Sequence, residues 1–148
     1  MTRFSHLPKG YEDQDTQDRK KADGKFTFTI PGELPTQNEM ISASNYNRHH
    51  YNEKKKDAEE IIKFYAEQAG VPFFEKTQLE ITYYRSDRRT DPDNIIYSKK
   101  LILDCLEAIG CIPGDGWEQI KPPFIEYWKL DKENPRTVVT LKEVNDGG

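Results

Sequence analysis

The sequence predicts an α+β domain in which a small mixed β-sheet packs with helices, and the elements follow the order β-α-β-α-β-β. Polar and apolar residues alternate in early segments, apolar residues recur at helical spacing in two longer segments, and two strand-like segments lie near the end. Alternation with a period of two is typical of a half-buried strand, and a spacing of three to four residues is typical of a helix.

The first half of this domain is predicted to contain a strand, a loop and a helix. Residues 25–30 (KFTFTI) alternate strictly and predict the first strand. Pro35 then favours a loop, which is predicted to continue through residues 37–39. Residues 50–69 place their apolar side chains near one helical face, and Gly70 is a suitable residue to end that helix.

The second half is predicted to contain a strand, a helix and two further strands. The β-branched and aromatic run at residues 79–84 (LEITYY) predicts the second strand. A helix is expected from about Asp93 to Ile109, because apolar residues recur on one of its faces. Two strands are expected around residues 120–129 and 137–143.

Length and composition indicate one cytoplasmic domain. The chain has 148 residues, of which we assign 25–144 to the domain and 1–24 to a flexible tail, because the tail lacks apolar periodicity. No apolar run approaches the roughly 18 residues of a membrane span, and no signal peptide is recognisable. The two cysteines, Cys105 and Cys111, are therefore expected to be reduced thiols.

The net charge of −4 is unusual for a protein that binds nucleic acid. Phosphate contacts supply much of the affinity of such proteins, so a basic surface is the usual sign of them. Five of the 26 acidic residues lie within residues 1–25, however, and others are candidate metal ligands. The overall charge therefore does not exclude DNA as a partner.

The segment Asp91-Pro92-Asp93 predicts a pair of neighbouring carboxylates. Proline disfavours helical geometry in the preceding residue, so Asp91 should be extended, and residues i and i+2 of an extended segment point to the same side. Two carboxylates about 4 Å apart repel by about 4 kcal/mol at an effective dielectric near 20, so a proton, a cationic side chain or a divalent metal must offset the repulsion. Oxygen ligands without clustered His or Cys suit Mg²⁺, with Mn²⁺ as a substitute. The alternative is an ordinary helix cap with a salt bridge to Arg88 or Arg89.

Two further polar residues are candidates for the same site. Lys100 follows Asp93 by seven residues, which on a regular helix returns to nearly the same face, where it could contact phosphate or the attacking water. Its alternative role is a solvated pair with Asp104, four residues later. Asp115 lies between two glycines and is either a turn residue or a third carboxylate returned to the acidic pair by the turn after the helix.

These segments resemble a known family. Residues 91–94 (DPDN), 99–106 (KKLILDCL), Gly110 and 114–117 (GDGW) resemble, in this order, motifs of the RusA-type Holliday junction resolvases, which are crossover junction endodeoxyribonucleases. The similarity is greatest to the members from Gram-positive phages and prophages. It covers about residues 26–143, and it is the combination of the elements that is specific, since each alone is weak.

The resemblance implies a homodimer that binds four-way DNA junctions by their structure and hydrolyses phosphodiester bonds symmetrically with Mg²⁺, in recombination and repair. The catalytic, metal-binding aspartates of the family fall on Asp91, Asp93 and Asp115. Its essential lysine falls on Lys100, with Lys99 as the alternative, because the spacing from Asp93 is longer here than in the enterobacterial branch.

One departure from the family leaves two other functions open. Gly114 stands where the enterobacterial branch has a second acidic residue, and together with the net charge it favours a non-catalytic module that binds branched DNA. A nuclease for other branched or flap substrates is the third possibility. Residues 54–56, three lysines, fit either DNA contact or solvated surface. The residues predicted to contact DNA are Arg85, Arg88, Arg89, Lys99 and Asn38.

Overall fold

The computed structural model describes residues 19–145, which fold into four strands, three helices of ten or more residues and one single-turn helix. The elements are β1 (Lys25–Pro31), α1 (Gln37–Tyr46), α2 (Arg48–Ala69), β2 (Thr77–Arg85), α3 (Pro92–Ile95), α4 (Lys99–Ala108), β3 (Ile120–Leu130) and β4 (Arg136–Glu143). The predicted α+β class and the order β-α-β-α-β-β are confirmed.

The four strands form one mixed sheet in the spatial order β1-β4-β2-β3. β4 is antiparallel to both of its neighbours, whereas β3 is parallel to β2 and lies at the edge. Parallel neighbours require a crossover connection, and here α3 and α4 provide it. The crossover therefore starts at the end of β2 and finishes at the start of β3. These two points lie at opposite ends of the sheet, so residues near the start of the crossover are far from residues near its finish.

Alternation places one face of the sheet in the core. Ile30 of β1, Ile81 of β2 and Val139 of β4 are fully buried and belong to one apolar cluster. Ile61 of α2 and Leu106 of α4 are buried in the same cluster, so these two helices cover that face. The sequence periodicities identify this core correctly, because helix and strand each bury a single stripe of side chains.

The predicted loop at residues 37–39 is wrong, because α1 begins there. The Thr36 hydroxyl accepts a hydrogen bond from the Glu39 backbone N–H (3.2 Å), and the Glu39 carboxylate accepts one from the Thr36 N–H (3.0 Å). This reciprocal pair is a capping box, for which Thr-x-x-Glu is the sequence signature. Only Met40 and Ala43 of α1 are buried, so the helix has little apolar periodicity to reveal it.

The predicted boundary between tail and domain lies too late in the sequence. Residues 19–24 contact the domain: the Arg19 guanidinium donates a hydrogen bond to the Val71 carbonyl (2.7 Å) and forms an ion pair with Glu67. Composition could not reveal these contacts, because both partners lie about fifty residues away along the chain. Residues 1–18, the rest of the predicted tail, lie outside the described part of the chain.

Replacing Arg19 with alanine is expected to lower the free energy of unfolding by about 3–5 kcal/mol, since it leaves a buried carboxylate without its cation. The side chain of Glu67 is only 5% exposed. Urea denaturation measures the change, and Lys20→Ala, at an exposed position in the same segment, is the control. Equal stability of the two variants would show that residues 19–24 do not hold the domain together.

Two other sequence predictions concern the thiols and the membrane. Cys105 and Cys111 are both buried and form no disulfide within residues 19–145, as expected of reduced thiols, and burial raises the pKa of the Cys111 thiol to about 12. Among residues 19–145, no helix has the length and apolar character needed to cross a membrane.

Candidate acidic site at one end of the sheet

An open groove of about 570 Å³ lies where β2 and β3 end. The two strands are parallel and Arg85 pairs with Leu130, so both end at the same edge of the sheet. The loop after β2 and the first turn of α3 form the other side of the groove. Its charged lining includes Asp91 and Arg88, and its apolar lining includes Trp128 and Leu130, both about half exposed.

Asp91 and Asp93 lie at the first turn of α3, and both are exposed. Asp91 is extended (φ −67°, ψ 150°), as the following proline predicts. The helix begins at Pro92, however, so Asp93 is already helical. The two residues are therefore neighbours because they share one helical turn, and the strand geometry from which we predicted their pairing does not apply.

The alternative interpretation of these carboxylates, a helix cap with a salt bridge, is not what the structure shows. Asp91 occupies the N-cap position of α3, but its side chain makes no capping hydrogen bond. The nearest acidic partner of Arg89 is Asp87, at 3.9 Å. Across residues 19–145, neither Arg88 nor Arg89 forms an ion pair with Asp91 or Asp93. Both carboxylates therefore remain open to another cation.

Asn38 and Asn94 connect α1 to the acidic turn. The backbone N–H of Asn38, in the first turn of α1, donates a hydrogen bond to Asn94 Oδ1 (3.1 Å). The Asn94 side-chain amide lies 3.5 Å from Asp93 Oδ1. Asn38 was predicted to contact DNA, and the structure places it beside the predicted metal ligands. Asn94 was missed as a site residue, although the DPDN run contains it.

The three predicted DNA-binding arginines differ in their environments. Arg85 is only 14% exposed, and its Nε lies 3.6 Å from Glu33, which also accepts a hydrogen bond from the Ser86 N–H (2.8 Å). Arg85 therefore holds the start of the loop in place. Arg88 and Arg89 are exposed, and their guanidinium groups remain accessible to a phosphate.

The predicted lysines pair with acidic residues other than Asp93. Lys100 is exposed and lies 3.8 Å from Asp104, which is the surface pair considered as its alternative role. The Lys99 ammonium donates a hydrogen bond to Glu126 (2.8 Å). Residues 96–98 form a 3₁₀ turn, and its tighter winding rotates the following residues by about 60°. The regular helical spacing from which Lys100 was placed beside Asp93 therefore does not apply across residues 93–100.

Glu126 joins three elements and was not predicted as a functional residue. It accepts hydrogen bonds from the Tyr83 hydroxyl (2.8 Å) and from Lys99 (2.8 Å), so it links β2, β3 and the start of α4. Burial, followed by the nearby Glu126 charge, raises the pKa of Tyr83, which stays protonated as the donor. Glu126 could be recognised only from its pairing with Ile81 of β2, and the sequence alone does not give that register.

Asp115 lies at the opposite end of the sheet from Asp91 and Asp93. Its loop is fixed at the start of β2, where the Thr77 N–H donates a hydrogen bond to the Gln119 carbonyl (2.9 Å). The acidic turn instead follows the end of β2, which has nine residues and spans roughly 26 Å. Within residues 19–145, no three His, Cys, Asp or Glu side chains are grouped closely enough to hold a metal ion. The predicted return of Asp115 to the acidic pair of its own chain is therefore wrong.

A comparison with known protein families finds no match for this chain, and a search among curated proteins finds no significant similarity. The resemblance to the RusA-type resolvases therefore depends on the residues quoted above and remains a prediction.

Proposed function

We propose that this protein is a divalent-metal-dependent endonuclease that cuts branched DNA, with four-way junctions as its substrate, and that it acts as a homodimer. One observation carries the proposal: Asp91 and Asp93 are exposed at one turn and are used neither for capping nor for ion pairs in the described part of the chain. They lie beside a groove that Arg88 also lines. Carboxylates for a hard cation and a guanidinium for phosphate are the groups that phosphodiester hydrolysis needs.

The residues of one chain fit Mg²⁺ only in part. Mg²⁺ is often held by one or two carboxylates, with water and phosphate oxygens as its other ligands, and Asp91 and Asp93 could supply these two. A bound divalent cation would activate water and neutralise charge that develops on the phosphate. Arg88 and Arg89 would orient the phosphate, while the Arg85–Glu33 pair holds their loop.

A second copy of the chain could supply the third carboxylate. If two β3 edges paired antiparallel about a twofold axis, the start of β3 in one protomer would approach the end of β3 in the other. Asp115 precedes β3 and the acidic turn lies beside its end, so this pairing brings Asp115 of the partner subunit towards Asp91 and Asp93.

The surface of β3 is suited to such pairing. As an edge strand it leaves backbone groups without partners in the sheet, and its Tyr127, Trp128 and Leu130 are about half exposed. Trp117, two residues after Asp115, is 94% exposed. A twofold contact would cover these apolar side chains, which are costly to leave in water.

The proposal is tested by incubating a labelled four-way junction with the full chain, with Mg²⁺ or with EDTA, beside fork, flap and linear duplex substrates. We expect paired nicks in the junction that require the metal, and binding that weakens steeply as salt is added. Preferential cutting of forks or flaps would support the nuclease activity but would show that the four-way junction is not the preferred substrate. Cutting of no substrate with Mg²⁺ or Mn²⁺ would overturn the enzymatic function.

A non-catalytic module that binds branched DNA is the second candidate. The observation that favours it is the lack of a three-carboxylate group within residues 19–145. The same assay separates the two functions, because a binding module would retard the junction on a gel without releasing products.

A further inference from the structure

A second groove, of about 440 Å³, lies between α1 and the first half of α2, and the proposed cutting chemistry does not use it. Asn38, Ser42 and Tyr46 of α1 contribute to one side, and His50 and Lys54 of α2 contribute to the other. We refer to it as the α1–α2 groove. Because the Asn38 N–H is bonded to the acidic turn through Asn94 Oδ1, the groove begins next to the proposed cutting site.

An aromatic ring is held in an exposed position at the far end of α1. Tyr46 is the last residue of α1 and is 75% exposed, so it adds little to the core. Its ring packs against the His50 ring in a T-shaped arrangement, with a centroid distance of 5.1 Å and an interplanar angle of 62°. Asn47 fixes this corner, because its side-chain oxygen accepts a hydrogen bond from the His50 N–H (2.7 Å) and caps α2. The ring therefore has a defined position with an open face.

The first three turns of α2, beside the groove, carry four basic residues and two acidic ones, Glu53 and Asp57, although the chain as a whole is acidic. Arg48, Lys54, Lys55 and Lys56 lie within the first three turns of α2. Lys56 pairs with Glu60 at 3.9 Å, whereas across residues 19–145 no ion pair involves the other three. Of these cations Lys54 lines the groove, so a phosphate bound there would contact its ammonium next to the Tyr46 ring. The acidic residue of the lining is Glu39, whose carboxylate accepts a hydrogen bond from the Thr36 N–H (3.0 Å).

We propose that the α1–α2 groove holds one unpaired nucleotide of the branched DNA, with its base stacked on Tyr46 and its phosphate at Lys54. A stacking ring next to a cation is the combination by which proteins bind single strands without reading sequence. Bases in a duplex or a four-way junction are paired and stacked, so a base at the crossover would have to unpair before it could stack on Tyr46, and this costs least where the base is already single-stranded. The inference rests on the proposed function, because DNA that is cut at the acidic turn would place one of its strands beside the adjoining α1–α2 groove.

The test measures binding of a short labelled oligothymidylate by fluorescence anisotropy in EDTA. Tyr46→Ala is expected to weaken binding about 5- to 150-fold, the loss typical of one stacked base, while Tyr46→Phe, which keeps the ring, should bind nearly as tightly as the original chain. Ile41→Ala is the matched control: Ile41 is an exposed apolar residue of the same helix that does not line the groove, so its loss should change nothing.

A second variant tests the phosphate contact. Lys54→Gln should weaken binding and reduce the slope of log affinity against log salt by about 0.7, the value for one phosphate contact on a single strand. Equal binding by Tyr46→Ala and the original chain would overturn the inference, as would an unchanged salt slope for Lys54→Gln. Because EDTA prevents cutting, these results do not depend on whether the protein proves to be a nuclease.

Discussion

Replacement of Asp91 with asparagine is expected to reduce Mg²⁺-dependent nicking of a four-way junction by more than about 100-fold, while junction binding is largely retained. Loss of a group that only supports a metal ligand typically costs 10–100-fold, so loss of a ligand itself should cost more. The fold should not suffer, because Asp91 is exposed and its side chain makes no capping hydrogen bond. Initial rates of nicking and a gel-shift titration in EDTA measure the two effects separately.

Asp87→Asn provides a control with the same change in charge. Asp87 belongs to the same loop and also lines the groove, but its carboxylate accepts a hydrogen bond from the Arg89 N–H (2.9 Å) instead of remaining open. Nicking by this variant should stay within a few-fold of the original rate. If Asp91→Asn cut at the rate of Asp87→Asn, the assignment of the metal to the acidic turn would be wrong.

Coexpression of two inactive variants, Asp91→Asn and Asp115→Asn, is expected to restore nicking. Each variant alone should be inactive, because every site in its dimer lacks one carboxylate. In a mixed dimer one site combines the intact acidic turn of one subunit with the intact Asp115 of the other. Random pairing makes half of the dimers mixed, so about a quarter of the original number of sites should be active.

The control for this experiment combines Asp91→Asn with Asp93→Asn. Both changes affect the acidic turn, so no dimer of these variants contains an intact site and no activity should return. A site formed within one chain would give no recovery with either pair of variants. Recovery with the first pair alone therefore identifies a site shared between subunits.

The fold was predictable because most elements bury one stripe of side chains. Strict alternation at β1 and helical periodicity in α2 follow directly from that burial. α1 was not recognised because it buries only Met40 and Ala43, and the capping box Thr36–Glu39 was its one strong signal.

Only the part of the candidate site that lies within one short segment of the chain was predictable from the sequence. The acidic turn is one short segment, and Pro92 correctly predicts the extended backbone of Asp91. The position of Asp115 depends instead on sheet topology, because a helix between parallel neighbours carries the chain from the end of one strand to the start of the next. Glu126 likewise becomes recognisable only once its neighbours on β2 and α4 are known.

The central position of β4 also constrains when this domain can form during synthesis. β1, the first strand to leave the ribosome, has β4 as its sheet neighbour, and Lys25 pairs with Lys142. β4 lies between β1 and β2 in the sheet, so these two strands cannot be joined until β4 has emerged. The sheet is therefore complete only after nearly the whole described chain is made. Pairings so distant in sequence slow folding, and the early strands must remain soluble during the interval.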